Sequence, residues 1–268
     1  MTNVMKSFRD SLSNAKNVLI LTGSGISAES GIPTFRGPGG FWRTYQAQSL
    51  ATPQAFRANP SLVWEFYEYR RQLASKCMPN KAHEAISKFQ SRLVRENKVV
   101  TVVTQNIDGL HQRSGTDNVI ELHGSLYKTR CTKCKRVEFN ETIPICPALA
   151  NKCSPDPKAT SSDIPIEKLP KCENNGCFGL LRPHIVWFGE NLEGTILDKA
   201  QEAVKNCDAC LIIGTSSDVY PAAMFAPQVA ERGVPVAEFN LEETSATRHF
   251  QYHFRGPCTT TVTDALDP

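Results

Sequence analysis

The sequence predicts an α/β chain, a Rossmann-type parallel sheet domain joined to a smaller domain. Three observations carry that expectation. Several short, β-branched apolar runs stop abruptly at small or polar residues, as buried parallel strands do when a ligand crevice lies beyond their carboxyl ends. One of these runs passes straight into a glycine-rich turn. Two short-spaced cysteine pairs bracket a proline-rich stretch that a regular sheet could not absorb.

The opening segment VMKSFRDSLSNA reads as an amphipathic helix of the fold rather than a targeting peptide, and any targeting sequence is expected to have been removed. Residues 17–36, NVLILTGSGISAESGIPTFR, then run from an apolar strand into Gly23-Ser24-Gly25-Ile26-Ser27-Ala28. That is the G-x-G-x-x-G/A dinucleotide fingerprint in its strand-to-helix context. Gly23 permits the tight turn, Gly25 lets a pyrophosphate approach the backbone, and the N–H groups opening the next helix carry the anion. The acidic residue that holds ribose in dehydrogenases, about twenty positions further on, is missing. The first acid after Glu29 is Glu65, so the ribose must be held elsewhere.

Ser61 to Ser75, SLVWEFYEYRRQLAS, is helical by the spacing of Leu62, Val63, Phe66, Tyr69 and Leu73, and belongs to a small helical insertion. Tyr67 and Arg70 stand at i and i+3, so both project from one face about 5–6 Å apart. An arginine fork beside a phenol matches a carboxylate, although a solvated Arg with an interfacial Tyr is the commoner arrangement. Lys98 to Thr104, KVVTVVT, is a buried strand, and the cluster TQNIDGLH follows it. Gln105, Asn106, Ile107 and Asp108 therefore stand where a ligand would be held. A second short run, NVIEL, leads to His123 in LHGSL. The competing reading is a turn capped by Asn and Asp with a core histidine. Later strands end in Gly214-Thr215-Ser216 and in Asn240-Leu241-Glu242. Asn240 and Glu242 are the candidates for the adenine-side ribose, and a carboxylate there would repel the extra phosphate of NADP.

Cys131-x2-Cys134 and Cys172-x4-Cys177 lie in turn-forming sequence with the spacing of a closed tetrahedral zinc site. Four thiolates leave no open coordination position, so a zinc there is structural. Disulfides are the rival, disfavoured in a chain with no secretory signal. Cys207 and Cys210 also form a C-x-x-C, but between a helical segment and an apolar strand, where small buried residues are expected. Cys146, Cys153 and Cys77 are expected free. Between the pairs, Ile143 to Pro170 holds six prolines and the polar run KATSSD, an irregular excursion of the zinc module.

The segments GSGISAESGIPTFRG, TQNIDGLH, LHGS, GTSS and FNLE resemble the motifs of the sirtuins, NAD-dependent protein lysine deacylases, and the likeness extends over nearly the whole chain. Sirtuins usually carry Ala where this chain has Ser24, a small-for-small change. The resemblance implies a phosphate and ribose loop from Gly23 to Arg36, including Ala28, Thr34 and Phe35, with Phe35 shielding the reaction from water. It implies nicotinamide and ribose contacts from Asn106 and Asp108, general-base chemistry at His123, and Cys258 near the adenine. A histidine suits the deprotonation of a ribose hydroxyl, because a pKa near about 6.5 leaves it neutral yet basic at cellular pH. Products would be nicotinamide and an O-acyl-ADP-ribose.

Tyr67 and Arg70 in WEFYEYRR, together with Ala51 in LATPQAF, further resemble the mitochondrial sirtuin branch that removes succinyl, malonyl and glutaryl groups and deacetylates only weakly. Ala51 would replace a bulky pocket residue and admit the longer acyl chain. HIVWFGEN and VYPAAMF resemble the two segments between which substrate lies as an added strand, with Val186, Phe188, Glu190 and Tyr220 as contacts. Acylated lysines of many proteins are thus the expected partners. The expected division is a Rossmann-type NAD-binding domain from 1–36, 81–128 and 181–268, a helical insertion with the acyl pocket over 37–80, and a zinc-binding module over 129–180. The cofactors are NAD and one structural zinc per chain.

Composition fits an enzyme. A chain of 268 residues, 40% hydrophobic, can bury a full core, and a net charge of +3 is unremarkable. The basic cluster KCKR, Lys133 to Arg136, is short and lacks interleaved aromatics, which argues against nucleic acid. No run has the length of a membrane-spanning helix. By the branch it resembles, the mitochondrial matrix is the expected compartment, with the cytosol second. Oligomeric state is not legible, and a monomer is the simplest expectation. Two other function classes would use the same motifs: an ADP-ribosyltransferase, against which Tyr67 and Arg70 speak, and a noncatalytic NAD sensor, which would not need His123.

Overall fold

The computed structural model describes residues 3–34 and 40–267, so Phe35 and Arg36 of the phosphate loop lie outside the described residues. Along the chain, α1 (Asn3–Asn14) leads into β1 (Asn17–Thr22) and the single turn α2 (Gly25–Ala28). A hairpin of β2 (Phe41–Trp42) and β3 (Tyr45–Gln46) opens the helical insertion, followed by α3 (Ala47–Leu50), α4 (Pro53–Ala58) and α5 (Pro60–Lys76). Next come α6 (Lys81–Arg95), β4 (Val99–Thr104), α7 (Leu110–Arg113) and β5 (Val119–Glu121). After β6 (Gly124–Cys131), β7 (Val137–Phe139) and β8 (Leu181–Ile185), the chain ends with α8 (Gly194–Asn206), β9 (Ala209–Ile213), α9 (Phe225–Glu231), β10 (Val236–Asn240), β11 (Tyr252–Arg255) and α10 (Cys258–Leu266).

Six strands make one sheet in the order β11-β10-β9-β1-β4-β5, every pairing parallel. The chain winds outward from β1 in both directions, first through β4 and β5 and later through β9, β10 and β11. The strand order therefore reverses at β1, and the crevice outside the carboxyl ends of β1, β4 and β9 is where such a sheet takes a ligand. The central strands are apolar on both faces because both are covered. Phe8, Ile20, Ile86, Val102 and Val262 pack beneath α1, α6 and α10, while Leu19, Ile212, Ala226 and Val229 pack beneath α8 and α9. In α1 the buried residues Met5, Phe8 and Leu12 recur at helical spacing, as the amphipathic reading requires.

A separate antiparallel sheet, β7-β6-β8, carries the cysteine turns. Strand β6 starts at Gly124 and β8 at Leu181, so this sheet crosses the expected boundary between residues 128 and 129. From residue 143 to 170 the only regular pieces are the 3-10 turns Pro147–Leu149 and Ile166–Lys168, as the proline content implies.

Helix α5 begins at Pro60, one residue earlier than its apolar spacing suggests, because Asn59 caps it by accepting from the Leu62 N–H at 2.9 Å. It is buried nearly all round, and its acids and one arginine are buried too. Glu65, 0% exposed, accepts from Arg43 at 2.9 Å, from the Ser61 hydroxyl at 3.2 Å and from the Ser162 N–H at 2.9 Å. One turn on, Glu68 accepts from the Ile145 N–H at 3.2 Å and pairs with Arg71. Arg71 in turn donates to the carbonyls of Leu126, Asn140 and Thr142. This face of α5 thereby fixes the proline-rich excursion and β6, and the remaining face, with Tyr67 and Arg70, is left for other contacts.

The Arg43–Glu65 pair is 2% and 0% exposed, so Glu65→Ala would leave a guanidinium buried without its counter-charge. Such a loss destabilises by about 3–5 kcal/mol. Urea unfolding of Glu65→Ala is expected to show it; a change below about 1 kcal/mol would contradict the role given to this pair.

Candidate active site

The crevice is made by a backbone crossing. Gly23 N–H donates to the Ile213 carbonyl at 3.0 Å and Gly25 N–H to the Gly214 carbonyl at 2.8 Å, so the turns after β1 and β9 touch main chain to main chain. A Cβ on Gly25 would lie 2.7 Å from the Gly214 Cα, and one on Gly214, whose φ is +59°, would lie 2.4 Å from the Ile26 nitrogen. These positions admit only hydrogen, which is the physical content of the fingerprint. Ser24 caps α2 with no side-chain hydrogen bond, Ala28 is exposed, and Thr34 ends the described part of the loop. With one turn of helix only, α2 offers a few amide groups rather than a long dipole.

The polar residues after β4 are tied into this crossing. Gln105 Nε2 donates to Thr215 Oγ1 at 3.1 Å, and Asn106 Nδ2 donates to the Gly23 carbonyl at 3.0 Å and to Ser27 Oγ at 3.2 Å. Ser27 Oγ donates to Asp108 Oδ2 at 2.8 Å, while Asp108 Oδ1 accepts from the Leu110 N–H at 2.9 Å. Asp108 is 5% exposed; burial raises its pKa, and these two donors and the charge of Arg70 oppose the rise. Ile107 is buried beside it and its carbonyl holds β6 through the Leu126 N–H at 2.9 Å. Below the crevice, His111 Nε2 and Thr104 Oγ1 both bond Thr22 Oγ1, at 3.0 and 2.8 Å. Burial holds His111 at a pKa of about 3, so it is a neutral support of the floor.

His123 Nδ1 lies 3.1 Å from the Gln105 carbonyl oxygen. A carbonyl can only accept, so Nδ1 carries the proton and Nε2 keeps its lone pair, the tautomer a general base needs. Burial lowers the His123 pKa, against the raising effect of the Gln105 bond. The next residue explains the placement. Gly124 has φ +80° and a Cβ there would lie 2.1 Å from the His184 carbonyl oxygen, so β6 can cross β8 directly after His123 only as glycine. The His123 carbonyl accepts from the Val186 N–H at 3.0 Å, which joins the histidine to the segment expected to take substrate.

Tyr67 and Arg70 face the same region. Tyr67 is 1% exposed and its pKa is raised by burial, so the phenol stays protonated. Burial lowers the Arg70 pKa, while Tyr67 and Asp108 favour its charge. Ala51 is 4% exposed and its carbonyl accepts from the Phe188 N–H at 3.0 Å. Phe188 and Tyr220 are exposed, at 46% and 72%, beside the crevice strands. Glu190 is engaged within the protein: its two oxygens bind Arg182 at 2.6 and 2.8 Å and accept the Trp187 N–H at 3.0 Å. Its place is therefore to brace this segment.

On the far side, Asn240 Nδ2 donates to the Thr215 carbonyl at 2.9 Å, Ser216, Leu241 and Glu242 are exposed, and Gly214 holds the crossing. Cys258, the first residue of α10, is 5% exposed in the core, its thiol pushed up to about 12 by burial, so it presents no reactive sulfur.

The four zinc candidates converge. Cys131, Cys134, Cys172 and Cys177 place their sulfurs within 4.8 Å of one another, with Sγ separations of 3.6 Å for Cys131 to Cys177 and 3.7 Å for Cys134 to Cys172. A tetrahedron with Zn–S bonds of about 2.3 Å has edges of about 3.8 Å, whereas a disulfide would need about 2.05 Å. The cluster fits a structural zinc. Cys207 and Cys210 are buried, as the core reading expected, and Cys77, Cys146 and Cys153 are free.

A model of the Sir2 family matches residues 23–221. The chain belongs to the Sir2 family. It is 60% identical to an "NAD-dependent protein deacylase" of Daphnia pulex over 98% of this chain and 96% of that protein. It is 59% identical to "NAD-dependent protein deacylase sirtuin-5, mitochondrial" of Canis lupus familiaris, over 98% of this chain and 85% of that one. Among solved structures, a Sir2 homologue–NAD complex superposes with a TM-score of 0.83 at 38% identity, covering 97% of this chain and 92% of the other.

Several residues of this Sir2 chain carry the site without having been singled out in the sequence. Ser27, in the variable part of the fingerprint, links Asn106 to Asp108. Trp187 donates from Nε1 to the Tyr67 hydroxyl at 2.9 Å. Glu65, Glu68 and Arg71 orient α5. Only Ser27 had a local signal, its position one turn after Gly23.

Two outcomes are expected. Because the folded-state pKa of His123 is lowered, neutral base persists further into acid, so the acid limb of kcat/KM assigned to it is expected below the ordinary 6.5. A limb above that value, or one unchanged in His123→Ala, would contradict its assignment. The four-thiolate cluster is expected to hold one zinc per chain by elemental analysis. Cys172→Ser is expected to lose it with a fall in melting temperature, and full zinc retention would contradict the ligand set.

Proposed function

We propose that this chain is an NAD-dependent protein lysine deacylase that takes acidic acyl groups, succinyl, malonyl and glutaryl, from lysine side chains. The observation that carries the reading is that Tyr67 and Arg70 stand one helical turn apart on α5, with the buried Tyr67 hydroxyl held by Trp187 and with Tyr67 and Asp108 both favouring the charge on Arg70. The names printed for the relatives, protein deacylase and sirtuin-5, support the reaction type, and "mitochondrial" supports that compartment. Tyr67 and Arg70 support the acyl class.

NAD, when bound, supplies the reactive anomeric carbon and the nicotinamide leaving group. The residues present fit it: the Gly23, Gly25 and Gly214 crossing keeps side chains away from a pyrophosphate, and Asn240 and Glu242 edge the adenosine side. Asn106 and Asp108 are held by Ser27, so they can position the nicotinamide end without reorganising. His123, with Nδ1–H fixed on Gln105, accepts a ribose hydroxyl proton at Nε2. Val186 and its neighbours hold the substrate backbone, and Ala51 leaves room for a long acyl chain. At its end the carboxylate would meet the Arg70 fork and the Tyr67 hydroxyl, with charge-assisted hydrogen bonds of about 1.5–3 kcal/mol.

Nicotinamide release on matched succinyl-lysine and acetyl-lysine peptides tests this. The wild-type chain is expected to prefer succinyl, and Arg70→Met to cut succinyl turnover by about ten- to a hundredfold while affecting acetyl far less. Equal losses on both peptides would overturn the acyl class and keep the deacylase. Nicotinamide release with ADP-ribose appearing on protein would instead identify a transferase.

A further inference from the structure

We propose that Trp187 is a specificity-positioning residue, which makes the Tyr67 hydroxyl a donor to the acyl carboxylate by occupying its acceptor side. The inference rests on the acidic-acyl reading and deepens it. An indole nitrogen can only donate, so in the 2.9 Å bond from Trp187 Nε1 the Tyr67 oxygen must be the acceptor. Among the described residues the hydroxyl has no other partner, so its own proton is turned away from Trp187. The phenol stays protonated under burial, and the one hydrogen it can give is directed to whatever lies beside Arg70.

The indole is itself held. It is 2% exposed, packed against Phe56 with centroids 5.3 Å apart, and covered by the Arg182 guanidinium 3.6 Å from its ring centroid. Glu190 binds that guanidinium with both oxygens and also accepts the Trp187 main-chain N–H. A rigid series thus runs from Glu190 through Arg182 and Trp187 to Tyr67. Trp187 also lies between Val186 and Phe188, whose N–H groups are fixed by His123 and Ala51. Peptide docking and acyl reading therefore share one residue: a shift of the substrate segment moves the indole, and the indole sets the phenol.

The experiment replaces Trp187 with 3-benzothienylalanine, which keeps the shape of the bicycle and exchanges N–H for sulfur, so the packing that Trp187→Phe would disturb is retained. It is made in the full chain, alone and together with Tyr67→Phe. The readout is the ratio of kcat/KM for succinyl-lysine to acetyl-lysine peptide. Removing the N–H is expected to lower the ratio by about three- to tenfold, the worth of one neutral hydrogen bond. In the Tyr67→Phe background the same replacement is expected to change it by less than about twofold, because the two residues act as one unit. An unchanged ratio in the wild-type background, or an equal fall in both, would overturn the proposal. If Tyr67→Phe alone leaves the ratio unaltered, the acidic-acyl reading fails, a result separate from failure of the Trp187 inference.

Discussion

The crossing of the glycine turns after β1 and β9 is the constraint from which the site follows. Two main-chain hydrogen bonds, from Gly23 and Gly25, lock the turns together where the strand order reverses. Side chains are excluded there, so the polar residues that surround the crossing become the walls. Gln105 reaches Thr215 and Asn106 reaches Gly23 from the end of β4, and Asn240 reaches the Thr215 carbonyl from the end of β10. The sheet core is rigid and apolar, and its carboxyl edge is a closed polar network. That division leaves bare main chain at the crossing, while the polar side chains around it stay ordered by bonds among themselves.

Helix α5 couples this crevice to the small domain through its 3.6-residue period. Positions 61, 65, 68 and 71 carry a buried polar and ionic face that grips the proline-rich excursion and β6, while Tyr67 points to Trp187 in the segment after β8. The same helix that is fastened by charge on one side therefore presents a charge on the other. That fastening fixes the orientation of the α5 face that carries Tyr67 and Arg70. Trp187, two residues past the end of β8 and clamped by Arg182 and Glu190, faces Tyr67.

Much of this was legible. The runs before Gly23, Gln105 and Gly214 are mostly apolar and β-branched because both sheet faces are covered, and they stop at polar residues because the carboxyl edge is where a ligand sits. The cysteine spacing was legible because a tetrahedral site limits its turns. The ionic face of α5 was not. Glu65, Glu68 and Arg71 look like a solvated surface, and their partners lie at Arg43, Ser162, Ile145 and Asn140, too far along the chain for any local pattern to show. Glu190 is a substrate contact by resemblance of HIVWFGEN alone; in the fold its carboxylate is engaged by the half-buried Arg182, eight residues back along the chain. The start of α5 is not legible to the residue, because apolar spacing says nothing of the Asn59 cap.

The central claim is that the carboxylate of the acyl group is received between Arg70 and Tyr67, next to the crevice that holds NAD. A crystal structure of the chain with a succinyl-lysine peptide, in the presence of a non-hydrolysable NAD analogue, tests it most directly. The expected result is a carboxylate within about 3 Å of both the Arg70 guanidinium and the Tyr67 hydroxyl, with the lysine amide beside Val186. A carboxylate turned to solvent, with Arg70 engaged elsewhere, would contradict the account.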